Sequence, residues 1–294
     1  MIKICEVGPR DGLQNEKKIL TTDQKVELIE QLVASGIKKI EAVAFVNPKI
    51  VPQMADAEEV MKRVPIVDGV TYAGLVLSRS GLKRALSTNV DILHVVTATS
   101  DDFNYRNARR TVNESVEELT VVIQEGVHSG KVVNGVLGTS FGCPFAGEVP
   151  VDRVMKVAEA FIKAGAEEIT LADTTGMANP KQVTEVVNTF NNNFGNSIKI
   201  GLHFHNTRGL GIVNALAGYQ AGVRCFDSSI AGLGGCPFAP KAVGNVCTED
   251  LVNMFEQMGE PTNTDLNKLI ETAQWMETQM GRPLDGMLMK MGIA

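Results

Sequence analysis

The sequence predicts a (β/α)8 TIM barrel with a helical extension at its C-terminal end. Three observations carry this. Eight short segments, most of them rich in Val and Ile, alternate with eight helix-period segments along the chain. Several helical segments stop at Ser-Gly or Ala-Gly just before the next apolar run, at Ser35-Gly36, Ala164-Gly165 and Ala221-Gly222. That punctuation suits a parallel α/β fold. The G-x-G-x-x-G of a dinucleotide-binding open sheet is missing after the first strand.

The strand candidates are residues 2–7, 39–44, 69–75, 92–97, 132–139, 168–172, 198–203 and 223–228. Each is too short for a buried helix, and eight is the strand count of the barrel. The helix candidates between them are residues 22–35, 54–62, 80–87, 112–129, 150–164, 180–194, 211–221 and 248–258. Thr22-Asp23 reads as a helix start, and so does Asn179-Pro180, with proline at the first helical position. A ninth helix is expected over 265–280, followed by a Met-rich, loosely packed tail after Arg282-Pro283. No Pro/Gly/Ser-rich linker divides the 294 residues, so one domain is expected: barrel to about residue 260, helix and tail over about 261–294.

Composition narrows the function classes. Hydrophobic residues make up 44%, enough for a sizeable core, and the formal net charge is -6. With no basic tract, nucleic acid and anionic membrane surfaces are disfavoured partners. No apolar run reaches the length of a membrane span. The first residues, Met1-Ile2-Lys3-Ile4-Cys5-Glu6, read as a strand rather than a secretory leader. The five cysteines (Cys5, Cys143, Cys225, Cys236 and Cys247) are scattered with no C-x-x-C pair. Reduced thiols and a cytoplasmic location are the expectation.

In such barrels chemistry sits at the C-terminal ends of the strands, and the unusual residues of this chain collect there. Two of the four histidines, His203 and His205, end the seventh strand. Two residues apart on a strand, their rings share a face and can share a cation. Zn, Mn, Fe and Co all suit imidazole. Arg10-Asp11-Gly12 follows the first strand, Glu41 lies in the second and Asp173 follows the sixth. Alone, Asp11 reads equally as a turn former, and Glu41 or Asp173 as a structural partner of Arg10 or a backbone amide. Together, Asp11, His203 and His205 form a two-His-one-carboxylate set with open positions, and Asn245 can add a neutral oxygen. A Gly-rich loop follows the eighth strand: Gly232-Leu233-Gly234-Gly235-Cys236-Pro237-Phe238-Ala239. Its thiol reads either as a proton donor on a closing loop or as an inert buried cysteine.

These segments resemble the hydroxymethylglutaryl-CoA lyase family, a branch of the metal-dependent barrel lyases related to isopropylmalate and homocitrate synthases. The resemblance is carried by Glu6-Val7-Gly8-Pro9-Arg10-Asp11-Gly12-Leu13-Gln14-Asn15-Glu16, by Ile40-Glu41-Ala42-Val43-Ala44-Phe45-Val46-Asn47-Pro48-Lys49, by His203-Phe204-His205, and by the cysteine loop with Gly244-Asn245 and Thr248-Glu249-Asp250-Leu251. It implies cleavage of 3-hydroxy-3-methylglutaryl-CoA to acetoacetate and acetyl-CoA, a step of leucine catabolism and ketone-body formation. It also implies an acyl-CoA substrate, a divalent ion (Mg or Mn, with Zn or Co permitted) and a homodimer or higher homo-oligomer. Asp11, His203, His205 and Asn245 become the metal set. Arg10 offsets charge on the thioester oxygen, Gln14 donates to substrate, and Cys236 protonates the acetyl-CoA carbanion. Glu41 and Asp173 orient Arg10 and the metal shell. His203 or a metal-bound group is the candidate base.

Departures from the family pattern fall beside these positions. The better-known lyases read Asp-Thr-Tyr-Gly after the histidine pair; this chain reads Asn206-Thr207-Arg208-Gly209. The cysteine loop continues with Phe238, Pro240 and Lys241. Arg208 and Lys241 add positive charge near the mouth, so a related branched 3-hydroxyacyl-CoA is an alternative substrate. An acetyl-CoA-dependent Claisen-type synthase would use the same metal set, a 4-hydroxy-2-oxo-acid aldolase is a further alternative, and a barrel that binds metal or acyl-CoA without turnover is the non-enzyme one. Lys17, Lys18, Arg106, Arg109 and Arg110 are candidate CoA contacts or a solvated charged face. Arg10→Gln and Cys236→Ala are each expected to lose most turnover while the fold survives, as steady-state rates and thermal melts would show. A near-normal rate in either variant would remove that residue's role.

Overall fold

The structure is a computed structural model that describes residues 1–235 and 244–293. Eight parallel strands close into a barrel in chain order: β1 (Lys3–Glu6), β2 (Lys39–Ala44), β3 (Thr71–Val76), β4 (Ile92–Ala98), β5 (Val132–Gly138), β6 (Glu168–Asp173), β7 (Lys199–Phe204) and β8 (Cys225–Ser228). Closure is made by β1 on β8, with Lys3 opposite Cys225 and Glu6 opposite Ser228. All eight expected strands are present, with ends shifted by a residue or two.

The surrounding helices are α1 (Thr22–Ala34), α2 (Ala57–Arg63), α3 (Arg79–Leu86), α4 (Asp101–Ala108), α5 (Val112–His128), α6 (Val151–Ala164), α7 (Pro180–Phe194), α8 (Gly211–Gln220), α9 (Thr248–Gln257), α10 (Leu266–Met280) and α11 (Leu288–Met291). Local chemistry explains several boundaries. Reciprocal capping boxes start α1 (Thr21 with Gln24) and α5 (Thr111 with Glu114). Asn179 caps α7 ahead of Pro180. Gly165, at φ +112°, ends α6 in a left-handed turn. The helices bury Leu28, Val122, Phe161, Val186 and Phe255 against the outer face of the barrel, each fully covered. No helix among the described residues is long and apolar enough to cross a membrane.

Two elements differ from expectation. Helix α4 is absent from the sequence reading because it is short and polar and buries only Phe103 and Asn104, so it has little apolar periodicity. Its cohesion is tertiary: Asn104 Nδ2 donates to the carbonyls of Arg110 and Thr111 and to Ser115 Oγ. The Met-rich tail is docked rather than loose. Leu284 and Met289 are buried, and Asp250 accepts from the backbone N–H groups of Met287 and Leu288.

Two buried carboxylates tie the barrel's upper rim together. Glu6, at the top of β1, accepts from Gly8 N (2.7 Å), Ile230 N (2.9 Å) and Thr248 Oγ1 (2.5 Å). It therefore joins the turn after β1, the loop after β8 and the start of α9. Glu249 is fully buried; its Oε2 accepts from Ala231 N at 3.0 Å, where that residue sits at φ +55°. Burial pushes the Glu6 carboxyl up to about 7 and that of Glu249 up to about 8. Between its unfolded value near 4.5 and 8, folded Glu249 holds a proton that the unfolded chain has released. Stability from this group is thus full below the unfolded pKa and is lost as pH rises through the folded one. Glu249→Gln keeps the neutral form at every pH. It is therefore expected to lose about 4 kcal/mol less stability than the wild type between pH 5 and 8. Urea melts across that range would show it, and parallel slopes in the two proteins would contradict it.

Candidate active site and metal centre

Closing the barrel brings both ends of the chain's rim chemistry to one point. Asp11 lies in a tight π-helical turn, Gly8–Gly12, directly after β1. His203 is near the end of β7, and His205 follows it, in a bridge with Asn245. Asp11 Oδ2 lies 3.9 Å from Nε2 of each histidine. One ligand atom from each of the three residues falls within 4.8 Å of the others, so the group can hold a metal ion. Asn245 completes the cluster from the other side of the cysteine loop. Its Nδ2 donates to Asp11 Oδ2 (2.8 Å) and to the Leu233 carbonyl (3.1 Å). Its buried Oδ1 has no hydrogen-bond partner among the described residues. An amide can present either atom to the cluster by a half-turn.

The electrostatics follow from the neighbours. Burial acts to raise the Asp11 carboxyl, but Arg10, His203 and His205 outweigh it and hold it well below the usual carboxylate range. Burial acts to lower His203, and is outweighed by its hydrogen bond with Asp227 and by Asp11, which raise it. His203 Nδ1 lies 3.2 Å from Asp227 Oδ2. That leaves Nε2 facing the cluster, the arrangement by which a carboxylate fixes a ligating imidazole. Asp227 was not among the sequence candidates. It sits in a four-residue strand, Cys225-Phe226-Asp227-Ser228, and an acidic residue flanked by Phe226 was the available signal.

Arg10 is 8% exposed and held on two sides. Its Nε donates to Glu41 Oε2 at 2.5 Å and its NH1 to Asp11 Oδ1 at 2.6 Å. Glu41 is buried; against that burial, Arg10 and His94 lower its carboxyl to about 2. Asp173 differs from the expectation that it orients Arg10. Its Oδ1 accepts from Met177 N (2.7 Å) and its Oδ2 from Ala178 N (3.0 Å), so it shapes the loop between β6 and α7. Burial raises its carboxyl to about 6. Arg208, expected at the mouth, donates through NH1 to the carbonyls of Thr175 and Gly176 at 2.8 Å each.

A cleft of about 560 Å³ opens beside the cluster. Arg10, Asp11, Gln14 and His205 line it, and so do Phe45 and Arg84. The Gln14 Oε1 is buried without a partner among the described residues. The glycine loop reaches this cleft at Gly235, whose carbonyl accepts from Asn15 Nδ2 at 2.7 Å. Gly234, at φ +110°, is required there: a Cβ would meet Asn245 Nδ2 at 2.6 Å. Cys236, Phe238 and Lys241 lie outside the described residues. Lys17, Lys18, Arg106, Arg109 and Arg110 do not line the cleft. Lys18 donates to the Gln279 carbonyl, Arg106 stacks 4.2 Å over Phe145, and Arg110 pairs with Glu118.

Comparison with known proteins agrees with this geometry. A family model described as HMGL-like matches residues 1–276. The hydroxymethylglutaryl-CoA lyase YngG of Bacillus subtilis is 41% identical, over 96% of this chain and 94% of its own. The (R)-citramalyl-CoA lyase of Chloroflexus aurantiacus is 40% identical, over 99% of this chain and 95% of its own. An HMG-CoA lyase structure from Acinetobacter baumannii, in complex with coenzyme A and 3-methylmalate, superposes with a TM-score of 0.94 at 42% identity. That alignment covers 99% of this chain and 95% of the other. A match that runs through nearly the whole barrel, rim segments included, makes this chain a member of the HMGL-like family.

Proposed function

We propose that the chain is a divalent-metal-dependent carbon–carbon lyase that cleaves 3-hydroxy-3-methylglutaryl-CoA to acetoacetate and acetyl-CoA. The observation that carries this is the Asp11–His203–His205 cluster at the rim, with Arg10 beside it in one cleft. The donor set fits a divalent ion: one carboxylate, two imidazoles and the orphaned amide oxygen of Asn245. Mg or Mn is the ion we assign from family membership. When bound, the ion supplies Lewis acidity at the C3 hydroxyl and the adjoining carboxylate.

The residues then divide the work. The C3 hydroxyl passes its proton to a water molecule in the cleft, C3–O becomes a carbonyl, and the C2–C3 electron pair passes to C2 as the acetyl-CoA enolate. Arg10 faces the thioester oxygen on which that charge develops, held in place by Glu41 and Asp11. Cys236, next to the anchored Gly235, delivers the proton that completes acetyl-CoA. Gln14, which lines the cleft, offers its amide to the acyl group. We assign His203 as a ligand rather than the base, because its Nδ1 is engaged by Asp227 while Nε2 faces the cluster. Asp173 supports the neighbouring loop.

A second reading shares the chemistry and changes one product. The (R)-citramalyl-CoA lyase relative aligns over 99% of this chain at 40% identity, about as similar as the hydroxymethylglutaryl-CoA lyase relatives. Its substrate class carries the carboxylate directly on C3, and the same bond cleavage yields pyruvate in place of acetoacetate. Incubation with each acyl-CoA, with Mg or Mn and with EDTA, separates the two. Metal-dependent acetoacetate release is the expected result. Pyruvate release from citramalyl-CoA with no acetoacetate would move the assignment to the second reading. No cleavage of either by folded, metal-loaded protein would overturn the lyase function.

A further inference from the structure

His94 lies on β4, within the barrel, and is 3% exposed. Its Nδ1 lies 2.8 Å from Glu41 Oε1. The other oxygen of the same carboxylate, Oε2, accepts from Arg10 Nε at 2.5 Å. His94 Nε2 is buried with no hydrogen-bond partner among the described residues. Across the sheet, His94 stands opposite Asn134 on β5. Asn134 belongs to a separate group deeper in the barrel: its Nδ2 donates to Glu168 Oε1 at 3.2 Å, and that oxygen also accepts from Lys39 at 2.7 Å.

We propose that His94 is a positioning residue for Arg10, acting through Glu41. This rests on the lyase reading of the site. The terminal torsion of a glutamate is soft, so a carboxylate held by one partner can swing. Held at both oxygens, it has one orientation. Glu41 is ionised and accepts on both sides, so His94 donates from Nδ1. Arg10 has one other anchor among the described residues, Asp11 Oδ1, which belongs to the metal cluster. Without a fixed Glu41, the guanidinium is free to follow Asp11 and leave the thioester oxygen. Glu41 stands beside a register shift in the pairing of β2 with β3, between Glu41 and Val43. With Nε2 unpartnered among the described residues, the hydrogen bond of the ring is the one that Nδ1 makes to Glu41.

The test compares His94→Leu, His94→Asn and His94→Gln in the metal-loaded enzyme. Asparagine places an amide N–H near the position of Nδ1; glutamine places one farther out, toward Nε2. His94→Leu is expected to lower kcat by about 10- to 100-fold, as for other residues that orient a catalytic group. Its KM is expected to stay within about two-fold, because the loss falls on the transition state. His94→Asn restores most of the rate and His94→Gln does not. A readout independent of turnover is the NMR signal of the Arg10 Nε–H, assigned by its loss in Arg10→Lys. Protected from exchange in the wild type and His94→Asn, it is expected to exchange rapidly in His94→Leu and His94→Gln. If His94→Leu fails to fold, the Asn and Gln pair carries the comparison. Equal rates in those two variants at equal melting temperatures, or an unchanged Arg10 signal in His94→Gln, would overturn the proposal. Should the wild type cleave no acyl-CoA, the lyase reading fails, while the exchange result still decides whether His94 fixes Arg10.

Discussion

Three lone-pair donors meeting at one point form the constraint around which the rim is arranged. Asp11 Oδ2 faces two imidazole nitrogens at 3.9 Å each, with 5% to 17% exposure of the side chains that carry them. Acceptors so placed repel one another unless a positive charge lies among them. The protein supplies part of that charge through Arg10 and through the Asn245 N–H. A divalent ion would supply all of it and would use the same atoms as ligands. The surrounding contacts hold the donors at that point: Asp227 on His203, the Leu233 carbonyl on Asn245, and Glu41 on Arg10.

The barrel makes this convergence affordable in conformational terms. Asp11 and Asn245 are 234 residues apart, and β1 pairing with β8 places them together. Glu6 reinforces the seam with three hydrogen bonds, and Glu249 supports the left-handed turn at Ala231 from below. Both are buried carboxyls with raised pKa values, and neither has a cation partner among the described residues. At neutral pH Glu249, raised to about 8, is held mostly as a neutral acid, while Glu6, raised to about 7, is poised between its two forms.

The barrel and the residues that meet at its rim were legible in the sequence for a physical reason. A strand covered on both faces writes a continuous apolar run, and glycine after each helix marks the return. Polar residues that interrupt the ends of such runs stand out, as His203, His205 and Glu41 do. Helix α4 left little trace because its cohesion comes from Asn104 reaching across to residues 110, 111 and 115. The docked tail was hidden for a similar reason, since its anchor, Asp250, lies on α9. Asp227 and His94 act on neighbours from inside strands, where sequence shows neither the direction of a side chain nor its partner. Asp173 shows the converse: a rim position was readable, but the turn of its carboxylate toward Met177 and Ala178 was not.

A titration of the metal-free protein with Mn, followed by the loss of free-ion electron paramagnetic resonance, tests the central claim most directly. The wild type should take up one ion per chain at the rim. His205→Ala, which deletes one donor and leaves the Arg10–Glu41 pair intact, should bind at least about ten-fold more weakly. Equal uptake by the two proteins, or none by the folded wild type, would contradict the assignment of Asp11, His203 and His205 as a metal centre.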